Sequence, residues 1–138
     1  MEQVNLEKEV TSSTKKNLET YFATHDVQYI TKDAVFTNMS SGEEAKGREE
    51  VKQLLESIYH VIFDAKAEIV NTIITENSAV LEFNFKGKHI GAMGQIQPTN
   101  KEVNVPTCIV YDVENGLVKR ARIYMQNDVM MKQLTATN

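Results

Sequence analysis

The chain has 138 residues, a length that suits one domain, and its 41% hydrophobic and 25% charged residues exclude a disordered composition. A net charge of −4 with scattered Lys and Arg argues against a general nucleic-acid binder. The single cysteine excludes an internal disulfide and a multi-cysteine zinc cluster, and no apolar run reaches the roughly 18 residues of a membrane span.

The first nine residues, Met1 to Glu9, lack the apolar stretch of a signal peptide, so the expected setting is cytoplasmic. Leu6, Val10, Leu18, Tyr21 and Phe22 fall at helical spacing. They predict a helix from about Asn5 or Thr11 to Thr24, capped by Asn5 or by the Thr11-Ser12-Ser13 group. A short second helix is expected over His25–Ile30, then a strand over Asp33–Asn38 and a turn at Ser40-Ser41-Gly42. Val51, Leu54, Leu55, Ile58, Ile62 and Phe63 form one stripe and predict a helix over Glu49–Phe63, entered through Gly47.

From Asp64 onward the pattern is strand-rich. A strand is expected over Lys66–Thr75 and a turn at Glu76-Asn77. Ala79, Leu81, Phe83 and Phe85 then alternate with polar residues along a half-buried strand. Three of the six glycines fall within Gly87–Lys101, which predicts a bulge and a wide turn. Val103–Val113 is the next strand, with Pro106 marking an edge or a bulge. Asn115-Gly116 makes a hairpin to the last long strand, Leu117–Gln126, and a helical tail covers Val129–Leu134. Helices first and antiparallel strands after them predict a single α+β domain over 1–138, core about 15–134. Its helices pack on one face of a curved sheet that can enclose a pocket.

The glycines at 87, 91 and 94 do not match a dinucleotide fingerprint, and a strand follows them, so no phosphate site and no cofactor is expected. His25, His60 and His89 are too far apart in sequence to suggest a metal centre. His25 reads as a loop or capping residue and His60 as helix surface. His89 stands in the glycine-rich bend, where a structural hydrogen bond and a ligand contact are equally open. Cys108 reads as a small buried hydrophobe rather than a nucleophile.

On the last strand Arg122, Tyr124 and Gln126 share one face, and Ala121, Ile123 and Met125 the other. Spacing alone favours the apolar three in the core. The other arrangement turns Arg122, Tyr124 and Gln126 into a cavity as a polar set among apolar liners such as Phe22, Phe36, Leu55 and Phe85.

Several residues together resemble the SnoaL-like polyketide cyclases of the nuclear-transport-factor-2-like superfamily, over about Lys15–Leu134. They are Asp33-Ala34-Val35-Phe36, Gly47, Phe63-Asp64, the run Gly87-Lys88-His89-Ile90-Gly91-Ala92-Met93-Gly94, Pro98-Thr99-Asn100-Lys101, Asn115-Gly116 and Gln133-Leu134. Asn100 stands where the family pattern has a glycine. The resemblance implies a cone-shaped sheet around an apolar pocket and a homodimer. It also implies an acid/base aspartate seven residues before the Gln-Leu pair, where this chain has Gln126. The carboxylate base of the related ketosteroid isomerases falls at Asn38. With both positions amides, the resemblance turns Arg122, Tyr124 and Gln126 toward the pocket.

The leading expectation is therefore a protein that binds a small apolar or aromatic ligand through Arg122, Tyr124, Gln126, Asn38 and His89, an inward Arg122 calling for either an internal carboxylate partner or an acidic ligand. The alternative is a cyclase- or isomerase-type enzyme whose acid/base chemistry has moved to His89 and Tyr124. A third reading is an assembly module with a filled interior.

Overall fold

The computed structural model describes residues 10–137. Helix α1, Ser12–Thr24, starts where Thr11 accepts the Thr14 N–H at 3.1 Å, and Glu76 accepts from the Thr11 N–H and the Thr14 hydroxyl. The alternative start at Asn5 lies outside the described residues. Thr14, Leu18, Tyr21 and Phe22 form its buried face. The helix ends at His25, whose left-handed backbone (φ 57°) lets its N–H reach the Tyr21 carbonyl at 2.7 Å. A single 3₁₀ turn, Val27–Tyr29, stands in place of the expected second helix, because Asp26 caps the Gln28 N–H and restarts the chain.

Strand β1 is Ile30–Asn38, and a three-residue β2, Glu44–Lys46, folds back on it. Helix α2, Gly47–Glu56, continues as a π-type turn over Ser57–Val61, ending the expected long helix before Phe63. Strands β3 (Phe63–Ile74), β4 (Ser78–His89), β5 (Glu102–Glu114) and β6 (Leu117–Met125) follow, then helix α3 (Asn127–Thr135).

The six strands make one open sheet in the order β2-β1-β6-β5-β4-β3. β1 pairs with β6 in parallel, and the other four ladders are antiparallel. Ala79, Leu81, Phe83 and Phe85 are buried on one face of β4, as their alternation predicts. Asn115 and Gly116 close the β5–β6 hairpin with positive φ angles of 53° and 78°.

The glycine-rich stretch departs from expectation in its first part. β4 pairs without a bulge through Gly87 and Lys88 on both sides, and through His89 on the β3 side. Gly87 is needed for proximity instead: a Cβ there would lie 2.3 Å from the Asp64 carbonyl oxygen of β3. A Cβ at Gly91 would meet the Val61 carbonyl oxygen at 2.2 Å. The wide turn spans residues 90–101, and Asn100 takes the positive φ (58°) that its glycine-like position requires.

Pro106 is neither on an edge strand nor at a bulge. It pairs with Asn84 inside the sheet, and its carbonyl accepts from Gln126 N–H at 3.3 Å, just past the last β5–β6 pair, Thr107 with Met125. Its missing N–H thus falls where the β6 ladder stops. Beyond that point α3 covers β5. The Gln133 side chain bonds both the Asn104 N–H (2.8 Å) and carbonyl (2.9 Å), while Met130 and Leu134 are buried. This clamp is the physical content of the Gln-Leu pair noted in the sequence.

Candidate functional site

Between the helices and the inner face of the sheet lies a cavity of about 440 Å³. Its walls include Phe36 from β1, Leu55 and Ile58 from the α2 region, Leu81, Phe83 and Phe85 from β4, Ile109 from β5, and Ile123 and Met125 from β6. The inner faces of β4, β5 and β6 supply these side chains because alternation buries every second residue. Of the four apolar liners expected from sequence, Phe36, Leu55 and Phe85 line it. Phe22 is buried beside it, its ring 5.4 Å from that of Tyr111.

Polar groups also line the cavity: Tyr21, His25, Tyr59 and Tyr111 in its body, with Asn38, Glu43, Glu44, Thr107 and Asn127. The His25 ring lies 4.8 Å from that of Tyr59 and 5.9 Å from that of Tyr21, and Tyr21 meets Tyr111 edge-on at 6.3 Å. Burial pushes all three phenols well above their usual range, with mutual repulsion adding at Tyr21 and Tyr111, so they stay protonated. Burial, helped by nearby His60, holds the His25 imidazole below its ordinary value, so it is neutral at pH 7. No Lys or Arg lines this cavity.

The residues expected to form the site do not converge. Arg122, Tyr124 and Gln126 stand on the outer face of the sheet, and Ala121, Ile123 and Met125 face inward. The inward turn suggested by the family pattern is thus corrected to the arrangement that spacing alone favoured. The reason is energetic. Arg122 on the outer face makes a bidentate pair with Asp112 (both contacts 3.1 Å), whereas an unpaired guanidinium inside would bear a large desolvation cost. Tyr124 is 46% exposed and lines an outer groove of about 430 Å³ with Gln126, Cys108 and Glu82.

The Arg122 hydrogen bonds hold the Asp112 carboxyl below the usual carboxylate range. A lowered carboxyl stabilises the fold above its unfolded value near pH ~4, and that contribution is lost as pH falls through the lowered value. The pair is partly exposed, so the effect is below about 1 kcal/mol. Asp112→Asn should melt slightly below wild type at neutral pH, and thermal melts in acid should show that gap closing.

His89 is fully buried, and it lines neither the inner cavity nor the outer groove. Its Nδ1 accepts the Thr99 N–H at 3.1 Å, and its backbone N–H and carbonyl bond Lys101 and Asn100. The ring packs on Phe63 at 5.2 Å, and Nε2 has no partner among the described residues. The first of its two open readings, a structural bond, is what the geometry holds: His89 pins the wide turn. As a ligand contact or proton carrier it is displaced from the cavity. Tyr124 is displaced likewise, by facing outward.

Asn38 is the one expected ligand contact that lines the cavity. Its Oδ1 also accepts the Ser40 N–H at 2.9 Å, which fixes it at the turn after β1. Cys108 is half-buried on the outer face rather than in the core, and partial burial and Glu82 push its thiol up. Sequence reasoning passed over His25, Tyr21, Tyr59, Tyr111 and Asn127. The signal for Tyr111 was there: Val103, Val105, Thr107, Tyr111 and Val113 are the buried alternate positions of β5.

Among the described residues, no group of three or more His, Cys, Asp or Glu is placed to hold a metal ion, and no helix is long and apolar enough to cross a membrane. The family model of SnoaL-like polyketide cyclases matches residues 19–134. No curated protein matches the chain in sequence. Among solved structures, a protein named as a SnoaL-like polyketide cyclase from Jannaschia sp. CCS1 superposes with a TM-score of 0.79 at 13% identity, covering 100% of this chain and 99% of that one. TsrD from Streptomyces laurentii gives 0.76 at 17% identity, covering 94% and 100%. A protein with a ketosteroid isomerase-like fold from Catenulispora acidiphila DSM 44928, in complex with trimethylamine, gives 0.69 at 12% identity, covering 94% and 100%.

Proposed function

The chain belongs to the SnoaL-like polyketide cyclase family, and from that premise we propose that it binds a small, uncharged, apolar or aromatic molecule in the inner cavity. The observation that carries this reading is the cavity itself, about 440 Å³ with apolar walls and a few polar groups. That volume lies within the range typical of small-molecule sites. The acidic ligand expected from an inward Arg122 loses its support, because the lining holds Glu43 and Glu44 and no cation. Neither Gln126 nor Asn127 offers the carboxylate that a cyclase would use at this end of β6. The amide at Asn38 leaves the isomerase position without a base as well. The trimethylamine complex of one structural neighbour supports small-molecule occupancy of this fold. An assembly module with a filled interior is the reading that the cavity weighs against. A homodimer and a cytoplasmic setting belong to the same proposal, and sedimentation of the purified chain tests the first.

The test compares two ligands of similar size, neutral 2-tetralone and the anion 2-naphthoate. At a concentration about 100-fold above its dissociation constant, a ligand specific to the folded state adds about 2.7 kcal/mol to stability. 2-Tetralone should raise the melting temperature in a dose-dependent manner, and 2-naphthoate should raise it less at equal concentration. A melting temperature unmoved by either compound would remove the binding reading.

A further inference from the structure

We propose that His89 is an acid-released latch: its neutral imidazole holds the wide turn over residues 90–101 against the sheet, and a proton taken up from solvent at Nδ1 frees that turn. The inference goes beyond the binding reading and does not depend on it.

The latch is built from hydrogen bonds of fixed direction. The Thr99 N–H donates to Nδ1 at 3.1 Å, so Nδ1 is a bare acceptor and the ring proton sits on Nε2. The Thr99 hydroxyl lies 3.1 Å from the same nitrogen and accepts the Lys101 N–H at 3.2 Å, which leaves its own proton to point at Nδ1. Two donors thus meet one nitrogen of a fully buried ring. A proton on Nδ1 sets a third donor against these two. It also charges a ring whose Nε2 has no partner among the described residues, and a buried charge without a partner is costly.

The surroundings supply nothing to offset that charge. Phe63 of β3 packs its ring on the imidazole at 5.2 Å. The charged positions beside it on β3, β4 and β5, Asp64, Lys88 and Glu102, are exposed, as are His60 on the π-type turn and Asp128 and Lys132 on α3. The Lys101 ammonium donates to the Ala136 carbonyl.

The turn has few other anchors. Met93 and Ile96 bond only each other through the backbone, so its far arm is held at Thr99 and by the His89 bonds to Asn100 and Lys101. The near arm donates the Ile90 and Gly91 N–H groups to the Ile62 carbonyl, both at 2.9 Å. Ile62 ends the π-type turn that brings Ile58 and Tyr59 to the cavity wall, so release of the turn loosens the support of that wall.

Amide exchange of the labelled chain, read residue by residue with NMR at about pH 7.5 and about pH 5.5, tests the proposal. One pH unit below its ordinary value of about 6.5, a solvated imidazole is about 90% protonated, which favours the opened turn about tenfold. Protection of the Thr99, Asn100 and Lys101 amides should fall about tenfold between the two conditions, with Leu81 and Phe83 of mid-β4 unchanged. His89→Asn offers an amide oxygen as acceptor and has no titratable nitrogen, so its turn amides should keep their protection in acid. An equal acid-induced loss in wild type and His89→Asn, or no loss in wild type, overturns the proposal. Should His89→Asn fail to fold, wild type decides: the loss must follow protonation of the His89 ring, read from its own nitrogen shifts, and a loss that follows His25 or His60 instead overturns the latch.

Discussion

Gly87→Ala should lower the melting temperature by about 10 °C. The new Cβ would sit 2.3 Å from the Asp64 carbonyl oxygen and 2.5 Å from Ala65 on the paired strand. These are backbone and Cβ atoms, so no side-chain rotation can relieve the clash. β3 must move away from β4 along a ladder that runs from Phe63 with His89 to Ile74 with Ala79. Overpacking of this kind costs about 3 kcal/mol, and at this chain length each kcal/mol shifts the midpoint by several degrees, roughly 3–5 °C. Gly94→Ala is the control. Its Cβ meets nothing within 4 Å, and only its positive φ of 60° is strained, so about 1 kcal/mol is expected. Equal melting temperatures for the two variants would show that close strand approach is not the reason for Gly87.

Ile123→Trp should abolish measurable binding of 2-tetralone or weaken it at least about tenfold, a loss of roughly 1.4 kcal/mol or more. Ile123 projects from β6 into the cavity, so an indole there occupies ligand space. Arg122→Ala, one residue away, removes a group from the opposite face and should leave the dissociation constant unchanged. Isothermal titration of the two variants reads the difference directly. The opposite result, with Arg122→Ala weakening binding and Ile123→Trp neutral, would move the site to the outer groove beside Tyr124 and Cys108.

The fold was legible where local chemistry decides the outcome. Alternation on β4, the Asn115-Gly116 hairpin and the α1 stripe each depend on neighbours in sequence. Thr11 and the turn at Glu76-Asn77 could be read the same way. What escaped depends on partners far along the chain. β2 is three residues long and is placed by pairing with β1 and by the packing of Ala45 on the core. The parallel β1–β6 ladder joins residues some 85 positions apart, as in Phe36 with Ala121, and no local pattern announces it.

The site was less legible for the same reason. Period-2 spacing placed Ile123 and Met125 inside. The family pattern pointed the other way because the strand ends at Met125 and the chain turns into α3 there, so the next residue to line the cavity is Asn127. His25 was read as a cap, and it is one. The cap also aims its ring at Tyr59, a residue 34 positions later in the chain, and that second consequence is set by packing alone.

The central claim is that the ligand enters the inner cavity, and methyl NMR of the protein titrated with 2-tetralone tests it most directly. Ile109 and Ile123 report the inner face, and Val70 and Val110 report the outer one. Saturable shifts at Ile109 and Ile123, with Val70 and Val110 still, are the predicted result. Shifts confined to Val70 and Val110, or no saturable shift at any of the four, would contradict it.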